Sequence, residues 1–329
     1  MSSKERKYDS PLQATITGIL GLFKKKERVG DLTDKDTLEG KTVLITGASS
    51  GLGLAVAKQL AALGGEVIMA VRSGIPEKGE EVKKYSGSSK VHMLPVDLSD
   101  FDSIKDLVKA VKNEFGQIDV LICNAAVVVN QARRTKYGLD EMFMVNYLAK
   151  FVLVNGLLKE KCFNTEASEI PRIIFVSSES HRNPSEFEWD TFGEFKEHSM
   201  SKTVERYGYY KLLMTTFSQE LARRLNKEKK TVYSVFALCP GPVNSNIARE
   251  APKWVQPPMK LVFRLFFNSP MKAAEPVVYL TASRVLEGKA TDYLFLMSRK
   301  EIDQKAQDPL NGARLWEATE KLLSKFISI

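Results

Sequence analysis

The sequence predicts an α/β domain built on a doubly wound, parallel sheet, and three observations support this prediction. From residue 41 onward, short runs rich in β-branched residues alternate with longer segments whose apolar residues recur at helical spacing. The short runs are continuously apolar, which is typical of strands covered on both faces. A glycine-rich loop follows the first run. Strict alternation of strands and helices implies right-handed crossovers and a parallel sheet.

The predicted elements follow one another without an internal repeat or a linker. Strands are expected at 41–47, 66–71, 91–95, 118–123, 172–176, 232–238 and 293–296. Helices are expected at 51–63, 101–115, 138–161, 203–227 and 271–284. We therefore expect a basic and apolar tail at 1–37 and a single domain at 38–329, with a small helical lid at about 246–270.

Composition excludes several classes of protein. The chain has only three cysteines, Cys123, Cys162 and Cys239, and their odd number and wide spacing indicate reduced thiols and not a disulfide framework. The three histidines form no ligand-spaced cluster with them, so no metal site is expected. A chain of 329 residues can bury a sufficient apolar core without such cross-links.

The positive charge is concentrated at the N-terminus. The net charge is +8, and residues 1–28 supply half of it, with seven Lys or Arg against three Asp or Glu. The rest of the chain is nearly balanced and carries no basic stripe, so no nucleic-acid partner is expected. The apolar run 16–23 is too short to span a bilayer. It is interpreted either as a helix that packs on the body or remains free of it, or as a peripheral membrane anchor. A cytoplasmic protein, or one held peripherally on a membrane, is expected.

The loop after the first strand has the features of a phosphate-binding turn. It reads Thr-Gly-Ala-Ser-Ser-Gly-Leu-Gly at 46–53, between a strand and a helix. Glycines permit the tight turn and let main-chain N–H groups approach a pyrophosphate at the helix N-terminus. The predicted dinucleotide contacts are Gly47, Ser49, Ser50, Gly51, Leu52 and Gly53.

The end of the second predicted strand favours NADP(H) over NAD(H). Enzymes that use NAD place a carboxylate about 20 residues after the loop, on the adenosine ribose. Here the strand ends in Val71, Arg72 and Ser73. The planar Arg72 guanidinium suits a 2′-phosphate, which it can bind bidentately.

Tyr207 and Lys211 form the strongest catalytic signal. Their spacing of four residues places both side chains on one face of a helix, one turn apart. A lysine ammonium, together with the positive charge of an oxidised nicotinamide, is expected to ease ionisation of the phenol. Tyr207 can then exchange a proton with an alcohol or carbonyl oxygen.

The G-x-x-x-G-x-G loop and the motifs after it resemble the short-chain dehydrogenase/reductase family, in chain order. The resemblance implies a Rossmann fold, with Asn146, Ser178, Tyr207 and Lys211 as the catalytic tetrad. Ser177 is the alternative to Ser178, and Lys211 is also expected on the nicotinamide ribose. Further cofactor contacts implied by the resemblance are Asp97, Leu98, Asn124, Ala125, Pro240, Val243 and Ser245. The chain departs from the family's Asn-Asn-Ala-Gly motif at Cys123 and Ala126.

Two features indicate a particular branch of this family. They are the long interval between Ser178 and Tyr207 and the closing segments Asp308-Pro and Arg314-Leu-Trp-Glu. They are similar to the retinol dehydrogenase and protochlorophyllide reductase branch, over about residues 38–325. An NADP(H)-dependent oxidoreductase acting on a carbonyl or alcohol is implied. Pairing through the fourth and fifth helices is common in the family and would give a homodimer.

The segment 250–270 bears on the substrate. It is rich in apolar residues, and in this fold it is expected to lie over the substrate pocket. One interpretation is a packed core helix. The other is a lid for a bulky lipophilic substrate that is retinoid-like, steroid-like or a fatty aldehyde. Two further functions stay open, a light-dependent pigment reductase like protochlorophyllide reductase, and a non-catalytic NADP(H)-binding sensor or scaffold.

Overall fold

A single sheet forms the centre of the molecule. The computed structural model describes residues 27–167, 169–227, 230–243 and 268–327. Within these residues the strand order is β3-β2-β1-β4-β5-β6-β7-β8, parallel except for the last, antiparallel pair. The strands are β1 (Thr42–Thr46), β2 (Glu66–Val71), β3 (Val91–Pro95), β4 (Val120–Cys123), β5 (Arg172–Val176), β6 (Ser234–Cys239), β7 (Thr291–Phe295) and β8 (Ser298–Arg299).

Helices cover both faces of this sheet. They are α1 (Gly51–Ala62), α2 (Glu77–Ser86), α3 (Phe101–Ala110), α4 (Glu141–Lys159), α5 (Met200–Leu225), α6 (Pro270–Ala282), α7 (Gln304–Gln307) and α8 (Pro309–Leu323). A π-helical turn at Val111–Phe115 continues α3, and another at Met144–Leu148 lies inside α4. A short 3-10 turn, Glu179–Arg182, follows β5.

The two faces explain why the strands are continuously apolar. Along β1, Val43 and Ile45 belong to the core formed with α1 and α6, whereas Leu44 belongs to the core formed with α3, α4, α5 and α8. Leu44 pairs with Ile68 on one side and Leu121 on the other. Because alternate side chains of a strand point to opposite faces, both sets must be apolar.

The strand order reverses direction between β1 and β4. The chain runs outward from β1 to β3 and then returns to the other side of β1 for β4, β5 and β6. In doubly wound sheets this switch point leaves a crevice at the carboxyl ends of the strands, where ligands bind. The functional site is therefore expected at that edge.

The C-terminal helix α8 covers the outer surfaces of α4 and α5. The Trp316 ring lies between Phe151 of α4 and Phe217 of α5, with ring centroids 4.9 and 5.7 Å away. The Tyr147 hydroxyl of α4 is hydrogen-bonded to the Thr319 hydroxyl. The two helices considered for pairing are thus partly covered by the chain's own C-terminus.

Helix α4 has the length and apolar composition of a membrane-spanning helix, alone among the helices of the described residues. Its apolar window is 78% buried inside the domain. Burial by protein accounts for its composition, because a core helix of a large α/β domain is apolar on nearly all sides.

The segment 27–37, grouped with the tail by the sequence, lies against the domain. The Val29 N–H donates to the Met297 carbonyl, and the Tyr279 hydroxyl donates to the Val29 carbonyl. Asp36 accepts from the Arg284 N–H. The interpretations of the run 16–23 fall on residues outside those described.

The predicted fold class is confirmed, and all seven predicted strands are found to within two residues at most ends. Helix α2 was not predicted, because only Gly79 and Val82 of its ten residues are buried and its apolar periodicity is weak. Helices α7 and α8 were also not predicted. The predicted lid at 246–270 falls almost wholly outside the described residues.

The three cysteines are free and buried. Over the described parts of the chain, no three His, Cys, Asp or Glu side chains come together in an arrangement that could hold a metal ion.

Candidate active site

A cleft of about 450 Å³ opens at the carboxyl ends of β1, β2, β4, β5 and β6. Most of the predicted site residues line it: Gly47, Ser49, Ser50, Gly51, Leu52, Gly53, Arg72, Asp97, Leu98, Asn124, Ala125, Ser178, Tyr207, Lys211, Pro240 and Val243. Asn146 lies behind the wall of the cleft and is fully buried. Ser245 is outside the described residues. Arg133 and Glu141 also line the cleft, although no sequence motif distinguishes them.

The glycine loop is compact because two of its glycines leave no room for a side chain. Gly47 has a φ of +70°, and a Cβ there would meet Ala125 Cα at 2.9 Å. A Cβ on Gly53 would lie 2.5 Å from Asn124 Nδ2 and would overlap the Gly47 carbonyl oxygen. The loop therefore packs directly on the chain that follows β4.

Thr46 and Asn124 connect the loop to the end of β4. The Thr46 hydroxyl accepts from the main-chain N–H groups of Asn124 and Ala125, at 3.1 and 3.2 Å. The Asn124 amide donates to the main-chain oxygens of Thr46 and Gly47, at 2.9 and 3.2 Å. These bonds fix the two cleft-lining turns to each other.

The start of α1 fits an anionic group. Its first turn holds no acidic residue, and Ser50 makes no capping bond through its side chain. The N–H groups at this end therefore keep their hydrogen-bonding capacity and the positive end of the helix dipole faces the cleft. Gly51 and Gly53 leave the backbone accessible. The residues present suit a pyrophosphate, which would lie on this turn.

Arg72 lies at the end of β2, exposed at the rim of the cleft next to Ser73 and across from Ser49 of the glycine loop. Asp97 lies beyond β3, where its carboxylate accepts from the N–H and the hydroxyl of Ser99. Asp97 is therefore held in place by local bonds at the far end of the same cleft.

Tyr207 and Lys211 lie on one face of α5, with the Lys211 Nζ 5.5 Å from the centroid of the Tyr207 ring. A side-chain hydrogen bond joins Tyr207 to Ser178. Ser177 points the other way, and its buried hydroxyl is bonded to Thr215 at 2.7 Å. Of the two serines considered, Ser178 is the one whose hydroxyl meets the phenol.

The electrostatics of this pair differ from the prediction of an easily ionised phenol. Burial raises the pKa of Tyr207 above its usual range, the Cys239 thiol raises it further, and the bond with Ser178 lowers it. The Lys211 ammonium donates to the Val176 carbonyl at 2.7 Å, and burial lowers its pKa to about 7. Lys211 therefore supports the phenolate only while it is protonated, so near pH 7 part of the charge expected from it is lost.

Asn146 occupies the π-helical turn of α4, and its side chain is fully used. Its amide oxygen accepts from the Val127 N–H and its amide nitrogen donates to the Val127 carbonyl, both at 2.9 Å. The side chain holds a cleft-lining segment in place. The catalytic part expected of Asn146 as a member of the tetrad stays a prediction.

Ser178 is supported by residues that the sequence analysis did not select. The His181 Nδ1 lies 2.6 Å from the Ser178 carbonyl oxygen, so it donates to that oxygen. Burial lowers the pKa of His181 to about 4, so the ring is neutral near pH 7. Glu179 is held by Arg182, Lys300 and Tyr293. The sequence pattern that could have indicated this support is a histidine three residues after the serine that follows a strand.

The chain after β6 closes the other side of the cleft. Pro240 and Val243 line it, and Val243 forms a parallel bridge with Asn268. The Asn268 N–H donates to the Pro242 carbonyl at 3.1 Å. Cys239 also lines the cleft, and burial raises the pKa of its thiol to about 11, which keeps it neutral.

Comparison with known proteins gives a consistent result. Residues 41–189 match the sequence profile of a family described as short chain dehydrogenase. Retinol dehydrogenase 14 from Homo sapiens is 32% identical over 88% of this chain and 88% of its own length. Retinol dehydrogenase 13 from Mus musculus is 32% identical over 94% of this chain and 91% of its own length.

Solved structures share the fold. An uncharacterized protein from Mycobacterium Paratuberculosis has a TM-score of 0.68 at 27% identity, covering 90% of this chain and 98% of that one. The Pseudomonas aeruginosa RhlG/NADP active-site complex has a TM-score of 0.62 at 19% identity, covering 80% and 98%.

Substitution Gly53→Ala is expected to weaken NADPH binding at least about tenfold, which corresponds to about 1.4 kcal/mol. The added Cβ would displace Asn124 and the Gly47 carbonyl and so distort the turn. Fluorescence titration with NADPH measures the affinity. The control is Gly156→Ala within α4, where the added methyl group meets only the Val108 side chain. A folded Gly53→Ala protein with unchanged affinity would contradict the assignment of this loop.

Proposed function

Because the chain belongs to the short-chain dehydrogenase/reductase family, in its retinol dehydrogenase-like branch, and is an oxidoreductase of alcohol and carbonyl groups that uses a nicotinamide cofactor, we propose a specific reaction. It transfers a hydride between NADP(H) and the carbonyl or alcohol carbon of a bulky lipophilic substrate. Tyr207, Lys211, Ser178 and Asn146 form its catalytic group.

One observation carries the proposal. Ser178 and Tyr207 both line the cleft that the glycine loop also lines, and a hydrogen bond with the Ser178 side chain lowers the pKa of the phenol. Two hydroxyls in contact can both bind one substrate oxygen, with one as a hydrogen-bond donor and the other as a proton donor. The Lys211 ammonium lies under the phenol ring.

The side chains divide the chemistry as follows. The bound nicotinamide supplies the hydride in reduction and accepts it in oxidation. In reduction, Ser178 donates a hydrogen bond to the carbonyl oxygen, and Tyr207 transfers its phenolic proton to that oxygen to complete the alcohol. In oxidation, Tyr207 as phenolate takes the hydroxyl proton. The Lys211 ammonium stabilises the phenolate and would bind the nicotinamide ribose hydroxyls.

The preference for NADP(H) rests on Arg72. Its side chain is exposed at the cleft rim, and the residues that follow it, Ser73 and Gly74, leave the strand end without a carboxylate. A guanidinium there attracts a 2′-phosphate, whereas a carboxylate would repel it. NAD(H) is the less favoured cofactor.

The lipophilic substrate is supported by the relatives and by composition. Two relatives over most of the chain's length are named retinol dehydrogenases. The aromatic residues between Ser178 and Tyr207 pack inward, since Phe187 stacks on Trp189 and Phe192 contacts Phe143. We assign recognition of the substrate to the apolar segment 250–270, as its composition predicts.

Other parts of the proposal concern location and assembly. A cytoplasmic location, or a peripheral one on a membrane through the run 16–23 and its lysines, stays a prediction. A homodimer through α4 and α5 would have to use the parts of these helices that α8 leaves uncovered.

Substitution Tyr207→Phe is expected to lower kcat by 10²-fold or more, because it removes the acid–base group. NADPH affinity should change less than about threefold, since the ring remains. Steady-state NADPH oxidation and fluorescence titration measure the two quantities. The control is Tyr209→Phe on the same helix, whose hydroxyl only accepts from the Glu188 N–H.

The outcome distinguishes an active enzyme from a non-catalytic sensor that only binds NADP(H). A non-catalytic NADP(H)-binding protein would show no turnover in either form with any carbonyl, and equal turnover of the wild type and Tyr207→Phe would remove Tyr207 from the mechanism. Assays in darkness and under illumination test the light-dependent alternative.

Substitution Arg72→Gln is expected to weaken NADPH binding about 10- to 100-fold and to leave NADH binding nearly unchanged, because the loss falls on the 2′-phosphate alone. Charge-assisted bonds of this kind contribute about 1.5–3 kcal/mol. Lys84→Gln on the exposed side of α2 is the control for a general loss of positive charge. Equal weakening of both cofactors would contradict the role of Arg72.

A substrate series tests the lipophilic pocket. Values of kcat/KM for retinoid-like, steroid-like and long-chain aldehydes should exceed those for small polar carbonyls by at least about tenfold, because each buried methylene contributes roughly 0.8 kcal/mol. NADPH oxidation at fixed enzyme concentration gives the comparison. Equal rates across the series would rule out this substrate class.

A further inference from the structure

Helix α4 carries a buried lysine that the proposed mechanism does not use. Lys150 lies one turn after Asn146, and its residue surface is 2% exposed. Its ammonium donates to two main-chain carbonyl oxygens, those of Ala125 and Val145, each at 2.8 Å. Removing an ammonium from water is costly. Neither acceptor is a carboxylate that would offset that cost fully.

The two acceptors connect Lys150 to the site. Ala125 lines the cleft directly after Asn124, and Val145 belongs to the π-helical turn that contains Asn146. Asn146 meanwhile holds both main-chain groups of Val127. Consecutive turns of α4 therefore hold the segment 125–127 from behind, and Lys150 is the charged member of that arrangement.

The charge of Lys150 acts on Lys211, the lysine of the proposed catalytic pair. The titratable groups that face it are Cys123 on β4 and Lys211 on α5. Burial lowers the pKa of Lys150 to about 8. Burial, followed by repulsion from Lys150, lowers the pKa of Lys211 to about 7.

The neighbouring thiols do not titrate in the same range. Burial raises the pKa of Cys123 to about 12 and that of Cys239 to about 11. Both stay neutral near pH 7, so they supply no negative charge to either lysine. Two ammonium groups thus share one region behind the cleft.

We propose that Lys150 is a positioning residue with an electrostatic effect. It holds the Ala125 turn against α4, and its charge sets the pH range in which the Lys211 ammonium supports the Tyr207 phenolate. This inference rests on the proposed catalytic role of Tyr207 and Lys211. Its electrostatic part concerns Lys211 itself and can be measured without turnover.

The direction of the effect follows from charge alone. A buried positive charge favours the basic form of every group near it, so it lowers their pKa values. Lys211 keeps its ammonium only below its pKa, and support of the phenolate is lost as pH rises through that value. Removing the charge of Lys150 raises the pKa of Lys211, and with it the pH at which this support is lost.

The experiment uses two variants of the full-length protein. Lys150→Met removes both charge and donor, and Lys150→Gln removes the charge but keeps a donor for the Ala125 carbonyl. The control is Lys159→Met, an exposed lysine at the end of the same helix. Lys150→Met leaves the Ala125 and Val145 carbonyls without this donor, which lowers the free energy of unfolding, and Lys150→Gln is the variant to use if the apolar one does not fold.

The first readout is the pKa of Lys211, measured by NMR of protein labelled at the lysine ε-carbon, with the signal assigned through Lys211→Arg. Both Lys150 variants should raise this pKa by roughly one unit, which corresponds to about 1.4 kcal/mol of repulsion removed. Lys159→Met should leave it unchanged. An unshifted Lys211 in both Lys150 variants would overturn the electrostatic part.

The second set of readouts is the pH profile of kcat and, separately, the affinity for NADPH. The profile should move to higher pH by a similar amount in both variants, and NADPH affinity should fall about three- to tenfold in Lys150→Met and less in Lys150→Gln. A uniform fall in kcat with no pH shift would indicate a merely structural lysine. If Lys211 shifts in the NMR titration but no variant turns over any carbonyl, the proposed function fails while the electrostatic coupling stands.

Discussion

The hydrogen bond from the buried Lys211 ammonium to the Val176 carbonyl fixes the relation between helix α5 and strand β5. Ser178 follows β5 by two residues, and Tyr207 lies one turn before Lys211 on α5. The same bond therefore sets the distance between the two hydroxyls that meet in the cleft. A lysine bound in this way supports the site first by geometry and only then by charge.

The cofactor side of the cleft depends on a similar device. Thr46 and Asn124 exchange hydrogen bonds at the ends of two adjacent strands, and Gly53 permits the loop to approach them. Because the sheet is parallel, the carboxyl ends of β1, β4, β5 and β6 lie on one edge. Side chains that are far apart along the chain, such as Asn124 and Tyr207, therefore line the same cleft.

Sequence patterns predicted the strands and the glycine loop because both depend on local physics, namely apolar runs covered on two faces and turns that exclude a Cβ. Spacing also predicted that Tyr207 and Lys211 share a helix face. The pKa of Tyr207 could not be predicted, since it depends on burial in the tertiary structure, on the nearby Cys239 thiol and on the hydrogen bond with Ser178. Lys150 escaped notice because a lone lysine in a helix is usually exposed, and only the tertiary structure places this one beside Lys211.

Helix α8 constrains the positions of α4 and α5 behind the site. Trp316 packs between Phe151 and Phe217, so it joins α4 to α5 on the side opposite the cleft. Helix α4 carries Asn146 and Lys150, and α5 carries Tyr207 and Lys211, so a shift of either helix would change the separation of these side chains. A large aromatic ring with a well-packed surround resists such a shift, because displacing it opens a cavity. The C-terminal helix therefore helps to hold α4 and α5 in place, although none of its residues lines the cleft.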